Sequence, residues 1–541
     1  MSGIAPRRGS TLSLIGLNLG GKILAIGKTL FVAALFGTTG ALDAFWVAYS
    51  LPLMLPGVLA SVVTLAFVPR FVKNLEGRTG PDIWRGANSL FTVVILLAMI
   101  GGVAMYIWAS GLVQTLAPGL EPATHDQAVS MTRMMVPAMV ILVMSSLLGA
   151  LSYARSRFWA PGLEGVVNNV ATIAIAVIFA RHIGVRALII GVNVGFAAHF
   201  AILCFANRDL IRSSLRPALA LTHPDLVRPL WHMFPLLVGA VGGMLTGLVD
   251  QYFVSKLDTG SISALSYARM LSMLPVEVFT AAIISTYYPA LGRGFATGDY
   301  AAAAETYAHG SRFLSFLTLP SALLLAVLAK PIVIILLEHG TFDARSTELT
   351  VEAMAILAVM VVFRSHAYFS YRVLHSAIRP WTQVVIGLLG VATCVGLNIL
   401  WAQRLGLRGI ALSAVLSQLQ SAILAAIAAR RVLGVPMSAQ HRKHSYYLIL
   451  IVAVLGVVTV LGQSLIPERL YEKSHYLWAI AAIACVIPAG VSALALAWKL
   501  RVPEIFELWS MIENKLGRRG SRADSLIPAT NTAADNLEES R

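Results

Sequence analysis

Charge is scarce in this 541-residue sequence: Asp, Glu, Lys and Arg make up 12% of it, while 57% is hydrophobic. A soluble chain carries about twice that share of charge, so a soluble enzyme with a single anchor is excluded. Cysteine is nearly absent. Cys204, Cys394 and Cys485 each lie in an apolar run with no CxxC spacing, which leaves no disulfide framework and no thiolate metal site. Neither HExxH nor a Gly-rich nucleotide loop occurs, so direct coupling to ATP is excluded as well. Long outward loops are missing too, the longest being the 12 residues "APGLEPATHDQA". An intramembrane glycosyl transferase would need a carboxylate or His/Arg site in such a loop. His125, Asp126, Glu338 and His339 read instead as solvated loop residues. Acids are outnumbered, 26 against 41 bases, for a net charge of +15. Most of the bases fall in short loops between apolar runs, where they set topology, so nucleic acid is not the expected partner.

Apolar runs are what the sequence has. Segments of about 20 residues, each able to cross a hydrocarbon core of about 30 Å, fall near 11–36, 43–69, 88–116, 129–153, 163–180, 186–206 and 230–254. They continue near 262–291, 313–337, 350–371, 381–402, 409–429, 445–463 and 476–498. The expected fold is an all-α polytopic membrane protein with 14 transmembrane helices. No small-residue cleavage site follows the first run, which therefore reads as a retained span. Prolines such as Pro52, Pro56, Pro275 and Pro331 interrupt several runs, which a membrane bundle tolerates. With the N-terminus placed inside, alternate loops carry 20 Lys and Arg against 8 in the opposite set. The positive-inside rule then puts both termini in the cytoplasm. Residues 502–517 read as an interfacial amphipathic helix, with Ile505, Leu508, Trp509, Ile512 and Leu516 on one face. The polar stretch from Arg518 onward reads as disordered.

The chain also echoes itself. "GTTGALDAFWVAYSLPLMLPGVLASVVTLAFVP", ending at Pro69, matches "LDTGSISALSYARMLSMLPVEVFTAAIISTYYP", ending at Pro289, at an offset of about 220 residues. An even number of spans separates the copies, which predicts two parallel halves facing a central cavity. The expected division is a six-helix lobe over 1–216, a second over 217–432, two added helices over 433–500, and the tail over 501–541.

Several charges stand where a bilayer penalises them. Lys22, Lys28, Arg133, Asp250, Arg269, Lys330 and Arg364 lie within or near the ends of spans, and a central base costs on the order of 3 kcal/mol. Snorkelling suits Lys330, beside Pro331, and Arg133, near the start of its span. It suits Lys28 less, because 8 residues, about 12 Å of helix, separate it from Phe36. Lys22 lies six positions earlier. Asp43 and Asp250 are the main acids available to neutralise these cations. Excess positive charge facing a cavity implies an anionic cargo, most simply a lipid phosphate or diphosphate headgroup.

Six local signatures then carry a resemblance. They are "LFGTTGALDAFWVAYSLP", "AFVPRF", "LSYARSRFWAPGLEGVVNNV", "FPLLVGAVGGMLTGLVDQYFVSKL", "KPIVIILLEHGTFDARSTELT" and "LRGIALSAVLSQ", in that order between about residues 15 and 430. The chain resembles the MurJ/MviN family of lipid-linked peptidoglycan precursor flippases, in the multidrug/oligosaccharidyl-lipid/polysaccharide exporter superfamily. The resemblance implies two six-helix lobes with two extra helices bordering a groove for the lipid tail. It implies a non-enzymatic flippase of the bacterial inner membrane, moving a polyprenyl-diphosphate-linked glycan such as lipid II to the periplasmic leaflet by alternating access. A cell-wall or polysaccharide polymerase is the implied protein partner, alongside membrane lipids. An exopolysaccharide or capsule repeat on the same lipid is the alternative cargo. A cation-coupled drug exporter is a second alternative, whose cavity should be acidic rather than rich in Lys and Arg.

Carried over by position, Lys22 and Lys28 stand where the family usually has arginines, Asp43 matches its second-span aspartate, and Arg364 its tenth-span base. Arg269 sits one position before the usual arginine, where Met270 stands, about 100° round an ideal helix. These five form the expected substrate-binding set. The basic pair that usually follows the second-span proline is absent from "LPLMLPGV". No cofactor is implied beyond coupling to sodium or to the membrane potential. Asp250 and Asn398 match parts of a sodium site, with Cys394 at another of its positions.

Overall fold

The computed structural model describes residues 8–50, 52–53, 56, 82–219, 242, 244–434 and 439–515. Every regular element among them is a helix. Eleven helices among the described residues are long and apolar enough to cross a membrane. The expected spans 43–69 and 230–254 fall largely outside the described residues, as do the loop bases between Arg70 and Arg78 and the tail from Arg518.

The first helices are α1 (Arg8–Phe36), α2 (residues 40–50), α3 (Asp82–Ile107), α4 (Ala109–Leu116) and α5 (Pro122–Ala154). After them come α6 (Trp159–Gly162), α7 (Glu164–Ile183), α8 (Arg186–Ala206) and α9 (Arg208–Ser213). Here α1 packs on α7, α7 on α8, and α5 on both α3 and α8. Small residues allow the closest of these approaches: the α-carbon of Gly21 lies against Gly165, and Asn169 Nδ2 donates to Gly21 O at 3.1 Å. Outside the spans, hydrogen bonding from Arg155 to Asp209 ties α5 to α9 and holds that carboxyl well below the usual carboxylate range.

The second set runs through α10 (residues 244–254), α11 (Ser261–Pro275), a π turn (Val276–Thr280), α12 (Ala281–Thr297) and α13 (Tyr300–Val327). It closes with α14 (Ala329–Leu336), α15 (Ala344–Ser376) and α16 (Pro380–Leu433). Side-chain caps start two of these helices: Asp299 accepts from Ala302 N at 2.9 Å, and Asp343 from Ser346 N at 2.8 Å. Helix α16 is 54 residues long and bends at Gly406, where φ is +58°, so the expected spans 381–402 and 409–429 are two arms of one element. α15 packs on α11, α13 and α16.

Apolar burial is distributed unevenly along the molecule. At one end a single core joins both sets, with Val32, Leu42, Val47, Tyr267, Leu271 and Met354 in one cluster. At the other end the cores are separate. Phe91, Val143, Leu147 and Leu203 belong to the first set, and Ile283, Leu291, Phe313 and Phe369 to the second. Helices joined at one end and individually packed at the other leave space between them.

The remaining helices are α17 (Ala439–Ser464), α18 (Glu468–Lys473), α19 (His475–Ala484), α20 (Val486–Lys499) and α21 (Pro503–Lys515). α17 packs on α13 and α20, and α19 on α14. Lys330 lies over the rings of Tyr471 and Trp478, at 4.4 and 5.7 Å, an aromatic end to its excursion from α14. Arg133 likewise reaches a helix end, bonding Tyr106 O at 3.2 Å. Two acids of α21 face the protein: Glu504 meets Arg312 at 3.5 Å and Glu507 meets His309 at 2.9 Å, while Phe506 and Trp509 are exposed. The helix is thus held against α13 by ion pairs. Burial pushes the Glu504 carboxyl up, an effect that Arg312 opposes.

Candidate functional site

Between the two sets lies a cavity of about 380 Å³. Trp46, Tyr49 and Ser50 of α2 line one wall, and Asp250, Arg269 and Arg364 line another. Arg364, on α15, is half-buried, and its Nε donates to Tyr368 Oη at 3.0 Å. Arg269 donates to Asp250, a carboxylate that is 1% exposed. Among the described residues the cavity wall is therefore basic on balance, because its single aspartate is neutralised by one of its two arginines.

Asp250 spends its other oxygen on the Cys394 thiol at 3.4 Å, and Asn398 Nδ2 donates to Cys394 Sγ at 3.5 Å. Asn398 Oδ1 and Arg269 Nε are both buried there without a partner, and only the first of them is an oxygen. A hard cation needs several oxygen ligands, and this arrangement offers a guanidinium in their place. The residues expected to hold sodium are neighbours, but as arranged they do not fit it.

The cavity ends at a septum. Val254 and Ile262 line it on one side and an outer pocket of about 450 Å³ on the other. Asp43 belongs to this septum and is not among the residues lining the cavity. Only 3% exposed, it accepts from Gly260 N at 2.6 Å, Ser263 N at 2.8 Å and Ser263 Oγ at 2.6 Å. One carboxylate from α2 thus caps the first turn of α11, where helix N–H groups and dipole both favour an anion. The turn before α2 is pressed equally close. Thr341 N donates to Ala34 O at 2.9 Å, and a Cβ on Gly37, whose φ is +57°, would lie 2.5 Å from Thr341 O. Thr38 Oγ1 and Ser346 Oγ add a contact at 2.8 Å.

The two first-helix cations are placed separately. Lys22 is half-exposed and pairs with Glu277 Oε2 at 2.9 Å. Lys28 is partly buried, with no acidic partner among the described residues, and neither lysine is among the residues lining the cavity. The structure thus brings Asp250, Arg269, Arg364, Cys394 and Asn398 together, seats Asp43 in the septum, and leaves Lys22 and Lys28 along α1. Glu277 is the residue that the sequence patterns do not single out. Its signal is nonetheless there, as the one acid within the 37-residue run Ser261–Thr297.

A family model described as lipid II flippase MurJ matches residues 32–500. The chain belongs to the MurJ family. The match extends past the first two helix sets into α17–α20, so the added helices are part of the MurJ pattern. Among curated MurJ proteins, the lipid II flippase of Burkholderia cenocepacia is 28% identical over 360 residues, covering 65% of this chain and 70% of that one. A solved lipid II flippase MurJ in an inward closed conformation superposes with a TM-score of 0.75 at 18% identity, covering 93% of this chain and 99% of that one. An inward-facing multidrug resistance MATE transporter of the MOP superfamily superposes at 0.64 and 13% identity, covering 78% and 98%. These two likenesses speak to the fold: MurJ and MATE chains share this helical architecture.

Proposed function

We propose that this chain is a lipid II flippase, carrying the polyprenyl-diphosphate-linked glycan from the cytoplasmic to the periplasmic leaflet by alternating access. The observation that carries this reading is the basic cavity between two helix sets, closed at one end by the Asp43 septum. In this reading the fold is two six-helix lobes, 1–216 and 217–432, with two further helices over 433–500, the tail over 501–541, and 14 spans in all. Both termini are cytoplasmic, so the septum is periplasmic and the cavity opens inward. The protein is a transporter rather than an enzyme: a headgroup enters, Arg269 and Arg364 meet its diphosphate in the cavity, Lys28 takes hold of it from α1 as the lobes move, and their rocking exposes it outward. Lys22 joins them once its pairing is released. A cell-wall polymerase receives the product in the outer leaflet.

Arg364→Ala should lower lipid II flipping in proteoliposomes at least tenfold while membrane levels stay normal. Arg364→Lys should recover part of it, since a point charge lacks the bidentate fork. Wild-type flipping by the alanine variant would sink the assignment of the cavity. Flipping of an exopolysaccharide lipid but not of lipid II would shift the cargo.

The drive in this proposal is the membrane potential acting on the cavity cations, at about 2.3 kcal/mol per charge per 100 mV. The guanidinium on Asp250 supports it over sodium. Replacing sodium with potassium should leave the rate unchanged, and collapsing the potential should slow it. A slowing in potassium that Asp250→Asn abolishes would reinstate sodium.

A further inference from the structure

The Lys22–Glu277 pair connects elements that are packed separately. α1 rests on α7 of the first helix set, whereas the π turn bearing Glu277 rests on α11, α12 and α15 of the second. The 2.9 Å contact therefore runs from one set to the other. Its local frame is unusual. Pro275 removes a backbone donor, and the five following residues wind as a π turn, an irregularity that recurs at functional positions. Glu277 is the sole acid on α11, the π turn and α12, and α1 carries no acid at all.

Both side chains are about half exposed, at 50% and 51%. Neither side chain is enclosed by the protein, so another anion can reach the Lys22 ammonium as Glu277 swings away. A single carboxylate is thus held on a lysine that faces accessible space. A diphosphate brings more negative charge and more acceptor oxygens than a carboxylate, and charge-assisted bonds to it are correspondingly stronger. An anion of that class outcompetes Glu277 for the same ammonium.

We propose that Glu277 is a built-in stand-in for a cargo phosphate: it neutralises Lys22 and links the two helix sets, and an isoprenyl diphosphate releases that link by taking Lys22. The inference rests on the proposed diphosphate cargo and adds how its arrival is communicated to the packing of the two sets. It also explains why the pair is accessible. A buried, strong bridge would hold the sets together against the cargo, whereas an exposed one yields to it.

The test is a double-mutant cycle on the full chain in nanodiscs, with farnesyl diphosphate as probe and farnesol as the uncharged control. Glu277→Gln should bind the diphosphate about fivefold more tightly than the parent, because its competitor is gone. Lys22→Gln should bind about tenfold more weakly, and Glu277→Gln added to Lys22→Gln should bring no gain. Farnesol binding should be the same in all four proteins. Diphosphate binding by the parent without a gain in Glu277→Gln, or a gain that persists without Lys22, overturns the stand-in alone. Absence of diphosphate binding in all four overturns the cargo reading together with it.

Discussion

Asp43→Ala opens the septum and abolishes net flipping, and this is the largest effect expected of any single change. The carboxylate satisfies two backbone N–H groups and one hydroxyl at the start of α11, all buried. Removing it leaves those donors unpaired and takes an anion from a helix N-terminus, for a combined loss on the order of 3 to 5 kcal/mol. Every 1.4 kcal/mol is about tenfold in an equilibrium, so the closed form loses roughly two to three and a half orders of magnitude relative to the open one. Transport that requires alternate closure then fails even though the cavity is intact. Ile262 provides the readout, because it lines both the cavity and the outer pocket. A cysteine there should be protected from an impermeant maleimide in the parent background and labelled rapidly with Asp43→Ala. Asp43→Asn, which keeps one acceptor oxygen, should fall between. Continued protection with normal flipping would remove Asp43 from the closure.

Lys28→Ala produces the second large effect, and it separates function from stability. A partly buried ammonium with no acidic partner among the described residues is a net cost to a membrane helix, on the order of 3 kcal/mol at the bilayer centre. Its removal should therefore leave the melting temperature unchanged or raised while lowering flipping at least tenfold. A structural cation would behave in the opposite way, with truncation lowering stability through the loss of a partner. Lys28→Arg should retain flipping, since it keeps the charge and adds the planar fork suited to phosphate. A fall in melting temperature together with normal transport would reassign Lys28 to the scaffold.

Much of the helical architecture is legible in the order of residues, for identifiable reasons. Hydropathy marks membrane helices because unsatisfied backbone groups are so unfavourable in hydrocarbon, and helices such as α5, α8 and α15 follow the apolar runs. A basic partner for Asp250 is likewise an expectation that any intramembrane acid raises. Direction around and across helices is what a linear pattern does not carry. By position Asp43 belongs with the cation set, yet the tight turn at Gly37 aims it at α11 instead of into the cavity. Arg269 and Asp250 are 19 residues apart on different helices, a separation with no periodic signature. Glu277 escapes notice in the sequence because its partner lies on another helix, and only the fold shows that the two approach. The two apolar runs within α16 are separate in the sequence, but that they join through a bend at Gly406 is a property of the backbone.

The Asp43–Ser263 contact has a consequence for which of the two echoing segments must keep its residue. The two residues are 220 positions apart, the same offset that relates the segments, so they occupy matching places in them. Two of the three bonds to the carboxylate come from backbone N–H groups, Gly260 N and Ser263 N, which most side chains at position 263 would leave in place. Only the third depends on the Ser263 hydroxyl. The demand is therefore lopsided: the first segment must supply an anion, while the second need supply little more than the start of a helix.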